Sequence, residues 1–188
     1  MVASQIVLGL QTIVSRQVNL TQEPAVVTIG GIEGGNRFNI IPDQVAMIGT
    51  IRTFGESMRD DIHRRVRLTA ERIAEATGAR AQVEIERIVP VMVNDPGLTE
   101  RMLPTLRRVA ADGNLVVRDK TTGYEDFSYF AQEVPALFIG LGISPVGTDL
   151  TQVAYNHSPR FYVDESGLLL GVHALTSLTL DYLTAGGR

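Results

Sequence analysis

A mixed fold, α+β in its first part and α/β in its second with a boundary near residues 90–95, is predicted from three observations. Up to about residue 90, segments of helical and strand period follow in the order helix, strand, strand, helix, strand, which is a ferredoxin-like βαββαβ unit without its opening strand. Beyond it, short apolar runs at 115–117 and 136–141 have no wet face, as expected of strands buried in an α/β layer. The chain has 188 residues, 44% hydrophobic and 20% charged, an ordinary globular composition long enough for one large domain or two small ones. A chain of this size buries roughly 70% of its unfolded surface and needs no covalent staple.

Val2, Ile6, Leu10, Ile13 and Val14 follow helical spacing, so residues 1–16 are expected to form a helix with one buried stripe. Ala25-Val26-Val27-Thr28-Ile29 is short and β-branched and reads as a strand. Gly30-Gly31 and Gly34-Gly35 loosen the backbone around Glu33, Ile41-Pro42-Asp43 reads as a turn, and 44–54 forms a second strand, antiparallel to the first. Ser57 and Asp60 resemble a capping box, after which Ile62, Val66, Thr69, Ala70, Ile73 and Ala76 mark one helix face up to Gly78. Ala81, Val83 and Ile85 alternate with Gln82, Glu84 and Glu86, the period of a strand wet on one side.

In the second part, Asp95-Pro96 is an N-cap followed by proline at the first helical position. Leu98, Met102, Leu106 and Val109 continue that helix, with Pro104 as a point of delay or kinking. A turn or two of helix is expected over 125–132. A glycine-rich loop over 140–151 leads to Tyr155-Asn156-His157-Ser158-Pro159, and a last helix spans 164–183 with acidic residues at its positive end.

Composition excludes several chemistries. Cysteine is absent, which removes disulfides, thiolate zinc sites and a cysteine nucleophile. The apolar start is short and lacks a basic leader, so neither a secretory signal nor a membrane span is expected, and the protein is expected to be cytoplasmic. Of the 17 basic residues only Lys120 is lysine, and 21 acidic residues outnumber them, which argues against nucleic acid as a partner. The densest basic stretch, Arg64-Arg65-Val66-Arg67, has Asp60, Asp61 and Glu71 nearby and reads as a solvated helix face.

Metal or acid–base work therefore falls on three histidines. His157 lies in a loop between a buried-strand region and a helix, where function is commonly presented. Metal ligand, general base and hydrogen-bonded structural residue all remain open for it, with Asn156 and Ser158 placed to orient the ring. His63 follows Ile62 on the polar side of its helix and is expected in solvent; His173 is expected packed or partly exposed in the last helix. None has a partner at the spacing of a His-Glu-x-x-His metal helix. Glu125 and Asp126, just past Gly123, suit either helix capping or binding of a cation or amine. Asn39 suits a turn or a substrate contact, and Arg52, inside a largely apolar strand, needs a carboxylate partner or the wet face of the sheet. No Gly-x-Ser-x-Gly elbow or phosphate-cradling loop is present.

Four motifs occur in order: Asn36-Arg37-Phe38-Asn39-Ile40-Ile41-Pro42-Asp43, Gly49-Thr50-Ile51-Arg52-Thr53, Gly123-Tyr124-Glu125-Asp126-Phe127-Ser128-Tyr129-Phe130, and Asn156-His157-Ser158-Pro159-Arg160-Phe161. Together they resemble the metallo-amidohydrolases of the hippurate hydrolase, N-acyl-amino-acid deacylase and indole-acetyl-amino-acid hydrolase family. The opening Val2-Ala3-Ser4-Gln5-Ile6-Val7 resembles that family's first lid helix. The resemblance implies a ferredoxin-like lid, which pairs into a homodimer, over 1–90, and the C-terminal portion of a zinc-peptidase-like catalytic domain over 91–188. It implies a metal ligand at His157, substrate contacts at Asn39, Gly123 and Glu125, and a dimer or substrate role for Arg52. The implied reaction is hydrolysis of N-acyl amino acids by water held between two divalent ions (Mn, Zn, Co or Ni), with a glutamate taking its proton. In that family the general base and most ligands come from a region before Val2. No catalytic base is therefore expected within these residues, and neither tight metal binding nor activity is expected of the chain alone. The alternative is a non-catalytic dimerisation or ligand-binding module built on the same fold.

Overall fold

The computed structural model describes residues 1–111, 114–184 and 186. Two compact units emerge, one comprising Met1–Met92 with Thr121–Ser128 and the other Val93–Lys120 with Tyr129–Arg188. No described helix is long and apolar enough to cross a membrane.

The first unit packs two helices on one face of a two-stranded sheet. Helix α1 (Val2–Thr12) buries Ile6 and Leu10, and its last turn widens into a π-helical turn over Ile13–Gln17. That turn keeps Ile13 fully buried, where a one-residue change of period still points the stripe inward. Strands β1 (Ala25–Glu33) and β2 (Ala46–Thr53) pair antiparallel, as expected. Val27 stands opposite Ile51, and the register slips between Ile29 and Gly31, so the glycine pair accommodates a bulge. Gly49, opposite Ile29, is required by the close approach of the strands: a Cβ there would collide with the Thr28 carbonyl oxygen.

Helix α2 (Glu56–Glu75) lies across α1 and the sheet and contributes Ile62, Val66, Ala70 and Ala74 to one core with Ile6, Leu10, Ile13, Ala25 and Val27. The N-cap is Gly55, with no side-chain cap bond, so Ser57 and Asp60 do not form the expected capping box. Asp60 instead pairs with Arg87, and Glu56 with Arg59 and Arg87. Past the helix, Gly78 adopts φ +74°, the left-handed conformation that terminates helices at glycine. The basic stretch is solvated as expected, with Asp61 bridging Arg64 and Arg65.

The expected third strand is only half realised. Ala81, Val83 and Ile85 do pack on the core, and their neighbours face solvent, but 79–95 forms no ladder with β1 or β2. Inward alternation follows from hydrophobic burial alone; a strand also needs a partner's backbone groups, and here Val89 offers its carbonyl to the Arg59 guanidinium instead.

In the second unit, α3 (Pro96–Ala110) packs against α5 (Leu168–Thr184). Asp95 caps α3 by accepting from the Leu98 amide at 2.6 Å, and the helix runs on through Pro104. Thr105, beside the proline and buried, donates to the Asp181 carboxylate of α5, which also receives Arg108 at 2.8 Å. Arg101 lies 4.6 Å from the centre of the Tyr182 ring and donates to the Tyr182 carbonyl. Asp164 accepts from the Ser166 amide and opens the 3-10 turn Glu165–Gly167 that leads into α5.

The apolar runs at 115–117 and 136–141 are not the buried strands expected of them. Val117 is 93% exposed, and in the second run only Ala136 is buried. Buried strands require neighbours on both edges and layers on both faces, and among the described residues neither run has them. The 136–141 run is held to the segment before α3: the Asp95 amide donates to the Ala136 carbonyl at 2.8 Å, and Asn94 accepts from the Phe138 amide at 2.7 Å and donates to its carbonyl at 2.9 Å.

Candidate active site

Each residue singled out from the sequence is positioned by its own unit. In the first, Asn39 lies in the exposed loop between β1 and β2, in a turn closed by the Ile40 amide on the Arg37 carbonyl at 3.4 Å. That turn leaves its side-chain amide in solvent. Arg52 projects from β2, opposite Val26 in register, and donates to the Thr122 carbonyl oxygen at 2.6 Å. Its partner is thus a main-chain carbonyl, where a carboxylate or open solvent was expected.

Gly123 follows directly. Its φ is not in the left-handed region and no atom lies within 4 Å of where a Cβ would stand, so nothing within the chain demands glycine there. Glu125 accepts from the Phe127 amide at 3.2 Å, and the Glu125 carbonyl accepts from the Ser128 amide. These bonds form a local turn just before the short α4 (Ser128–Glu133). Arg52, Gly123 and Glu125 therefore come together around one strap, 121–128, of the first unit.

In the second unit, His157 is exposed and has φ +71°, one of two described non-glycine residues with positive φ, the other being Ala111. A histidine in that conformation costs free energy that its surroundings must offset, and such positions concentrate at functional sites. Turns on either side hold it: Ser158 donates its amide to the Tyr155 carbonyl at 3.1 Å and Phe161 donates to the Ser158 carbonyl at 3.0 Å. The Ser158 hydroxyl accepts from the Arg160 amide, so it tightens the loop rather than orienting the imidazole.

The other histidines divide. His173 is exposed on α5. His63, expected in solvent, is only 7% exposed, because the segment following α2 folds back over that side of the helix. Burial holds its pKa below the ordinary value, and the positive charges of Arg87, Arg59 and Arg67 push the same way against Asp60. The signal available in sequence was the cation spacing, with Arg59 and Arg67 each one turn from His63.

The folded state therefore holds His63 neutral while the unfolded chain takes up a proton near pH 6.5, so stability is complete above that pH and falls as pH drops below it. A drop in Tm between pH 7 and 5 that disappears in His63→Gln is the expected result in thermal scans. The salt-bridged Asp61 acts in a lower window, since Arg65 and Arg64 hold its carboxyl below the usual range: its contribution is full above about pH 4 and is lost as pH falls from there through the lowered folded-state value.

Among the described residues no three His, Asp or Glu side chains gather in a way that could hold a metal ion. The described residues do not by themselves fit a metal pair.

The model of peptidase family M20/M25/M40 matches residues 4–181. The chain belongs to this family. Among its M20 relatives, an N-acetyl-L-cysteine deacetylase of Bacillus subtilis is 35% identical over 89% of this chain and 38% of its own length. An IAA-amino acid hydrolase of Arabidopsis thaliana is 31% identical over 96% of this chain and 41% of its own. Of solved structures, a dinuclear metal binding M20 peptidase from Bacillus subtilis superposes with a TM-score of 0.77 at 28% identity, covering 97% of this chain and 45% of that one. The chain thus spans less than half the length of these relatives. The amidohydrolase family anticipated from the four motifs is the one found, with a mixed helical and small-sheet fold.

Proposed function

We propose that this chain is the lid (1–90) and the C-terminal part of the catalytic domain (91–188) of a cytoplasmic amidohydrolase that cleaves N-acyl amino acids into a carboxylic acid and a free amino acid. What carries the reading is the M20 match over 4–181, together with relatives named for the deacetylation of an N-acetyl amino acid and for the hydrolysis of an acyl–amino acid conjugate.

His157 contributes one metal-binding nitrogen, a role supported by its exposed imidazole on a conformationally strained, hydrogen-bonded turn. Asn39 supplies an exposed side-chain amide for the substrate's acyl or carboxylate oxygen. The main chain at Gly123 is open to close approach by a ligand, and Glu125 stands beside it with one oxygen already engaged. The complete enzyme holds two divalent ions, drawn from Mn, Zn, Co or Ni. One imidazole is too few for such a pair, so the other ligands and the general base come from outside these residues.

The 188-residue chain alone is expected to show neither stoichiometric binding of Mn²⁺ or Zn²⁺ in calorimetric titration nor turnover of N-acetyl amino acids. Robust hydrolysis by the chain alone would overturn this assignment of parts. Pairing through the lid is expected to give a homodimer in sedimentation velocity, with no salt-dependent binding of RNA or DNA; a strict monomer at all concentrations would remove the lid contact. A non-catalytic binding module is the second reading, favoured by the absence of a three-ligand cluster among the described residues.

A further inference from the structure

The stretch 87–92 returns over α2 and ends at Met92, where the chain leaves the first unit until Thr121. It joins no ladder among the described residues, so side chains of α2 hold it. Arg59, itself paired with Glu56, donates to the Val89 carbonyl at 3.1 Å. Arg87 pairs with Asp60 and, at 3.5 Å, with Glu56. This clasp is weak for two reasons. The Arg87 pairs are about half exposed and screened by water, and the Arg59 Nε is buried without an acceptor among the described residues. A single added charge beneath it can therefore tip it open.

His63 lies beneath the clasp, buried in the middle of α2. Arg59 and Arg67 flank it one turn away on either side, Arg87 reaches it from the return, and Asp60 is the opposing carboxylate, already engaged by Arg87. A proton on the imidazole adds a fourth cation to three guanidiniums in a place that water does not reach. With the cover lifted, the same ring stands on a hydrated helix face and takes a proton near pH 6.5. We propose that His63 is the trigger of a pH-sensitive latch: neutral, it lets 87–92 close over α2, and protonated, it favours release of that stretch while α2 and the core beneath stay folded. Both forms are neutral well above pH 6.5, and below it the released form takes up the proton first, so acidification opens the latch. The inference localises the acid sensitivity of His63 to one segment and is independent of the amidohydrolase reading.

Nitrogen-15 relaxation dispersion on the amides of the 188-residue chain detects a minor released form on the microsecond-to-millisecond scale. Between pH 7.5 and 5.5, a range above the ordinary carboxylates, the released population over 87–92 is expected to rise by up to about tenfold, the limit set by one proton taken up at 6.5. The amides of α2 should show no matching exchange. In His63→Gln, which stays uncharged, the population should not change with pH. Arg87→Gln tests the clasp with the trigger in place, and its released population is expected to be raised already at pH 7.5. A population over 87–92 that does not rise in the parent would overturn the proposal, as would an equal rise in His63→Gln. Exchange spreading equally through α2 would overturn it too, since that is unfolding of the unit and not the opening of a latch.

Discussion

Ile62→Ala is expected to destabilise the first unit by about 2–5 kcal/mol, the range for emptying a buried aliphatic site. Ile62 is completely buried where α2 meets α1 and the sheet, and shares its core with Ile13, also completely buried, and with Val27 and Val66. The cost has two parts. Three carbons lose their transfer free energy, at about 0.8 kcal/mol each, and the remainder depends on how far the walls collapse into the void. Collapse is restricted here, because α1 is held by a π-turn at Ile13 and the sheet by its bulge at Ile29 and Gly31. The measurement is urea unfolding followed by far-UV circular dichroism, with Leu68→Ala as the comparison. Leu68 is on the same helix and 45% exposed, so its loss is expected to stay within about 0.5 kcal/mol. Equal effects from the two variants would show that the α2 interface is not the core of this unit.

Most of the first unit's core was legible because helical and strand periods select the same residues that the packing buries. Ile6 and Leu10 of α1, Ile13 of the π-turn after it, Val27 of β1, and Ile62, Val66 and Ala70 of α2 meet in one cluster. What escaped depended on partners that periodicity does not encode. Ala81, Val83 and Ile85 turn inward as their alternation requires, but alternation is silent on whether a neighbour's amides are free to pair. Local competition decided the start of α2: Asp60 and Glu56 are drawn to Arg87, and the helix begins at Gly55 without a side-chain cap. The α spacing of Ile6, Leu10 and Ile13 fits a π-turn equally well, so the change of period left no trace in composition.

Site legibility followed the same physics. His157 could be singled out because Asn156, Ser158 and Pro159 mark a constrained loop, and the positive φ then supplies an energetic reason for that constraint. His63 was placed on the wrong side of the surface because the helical wheel ranks faces by their own residues. Burial there is imposed by residues 87–89, which return over α2 through Arg87 and the Val89 carbonyl. For Arg52, sequence predicted that a strand arginine needs a partner but had no means to find a carbonyl 70 positions away.

The left-handed φ of His157 permits an experiment that separates fold from chemistry. In the full-length enzyme both His157→Gly and His157→Ala are expected to lower kcat/KM at least about a hundredfold, since even groups that only support a metal ligand cost 10–100-fold when removed. Their effects on the fold should differ, glycine stabilising and alanine leaving the strain in place. At φ +71° a β-carbon is strained and glycine is not, so glycine relieves about 1 kcal/mol that histidine and alanine both bear. Because the side chain is exposed, its removal leaves no cavity to offset that gain. His157→Gly should thus be at least as stable as the parent in thermal unfolding while lacking activity, and His157→Ala should be no more stable than the parent and equally inactive. A variant that is stable and inactive assigns the loss to the imidazole, because neither strain nor unfolding remains to explain it. Full activity in His157→Gly would take His157 out of the site. The strain at this turn would then be a property of the loop alone, with no imidazole held in place by it.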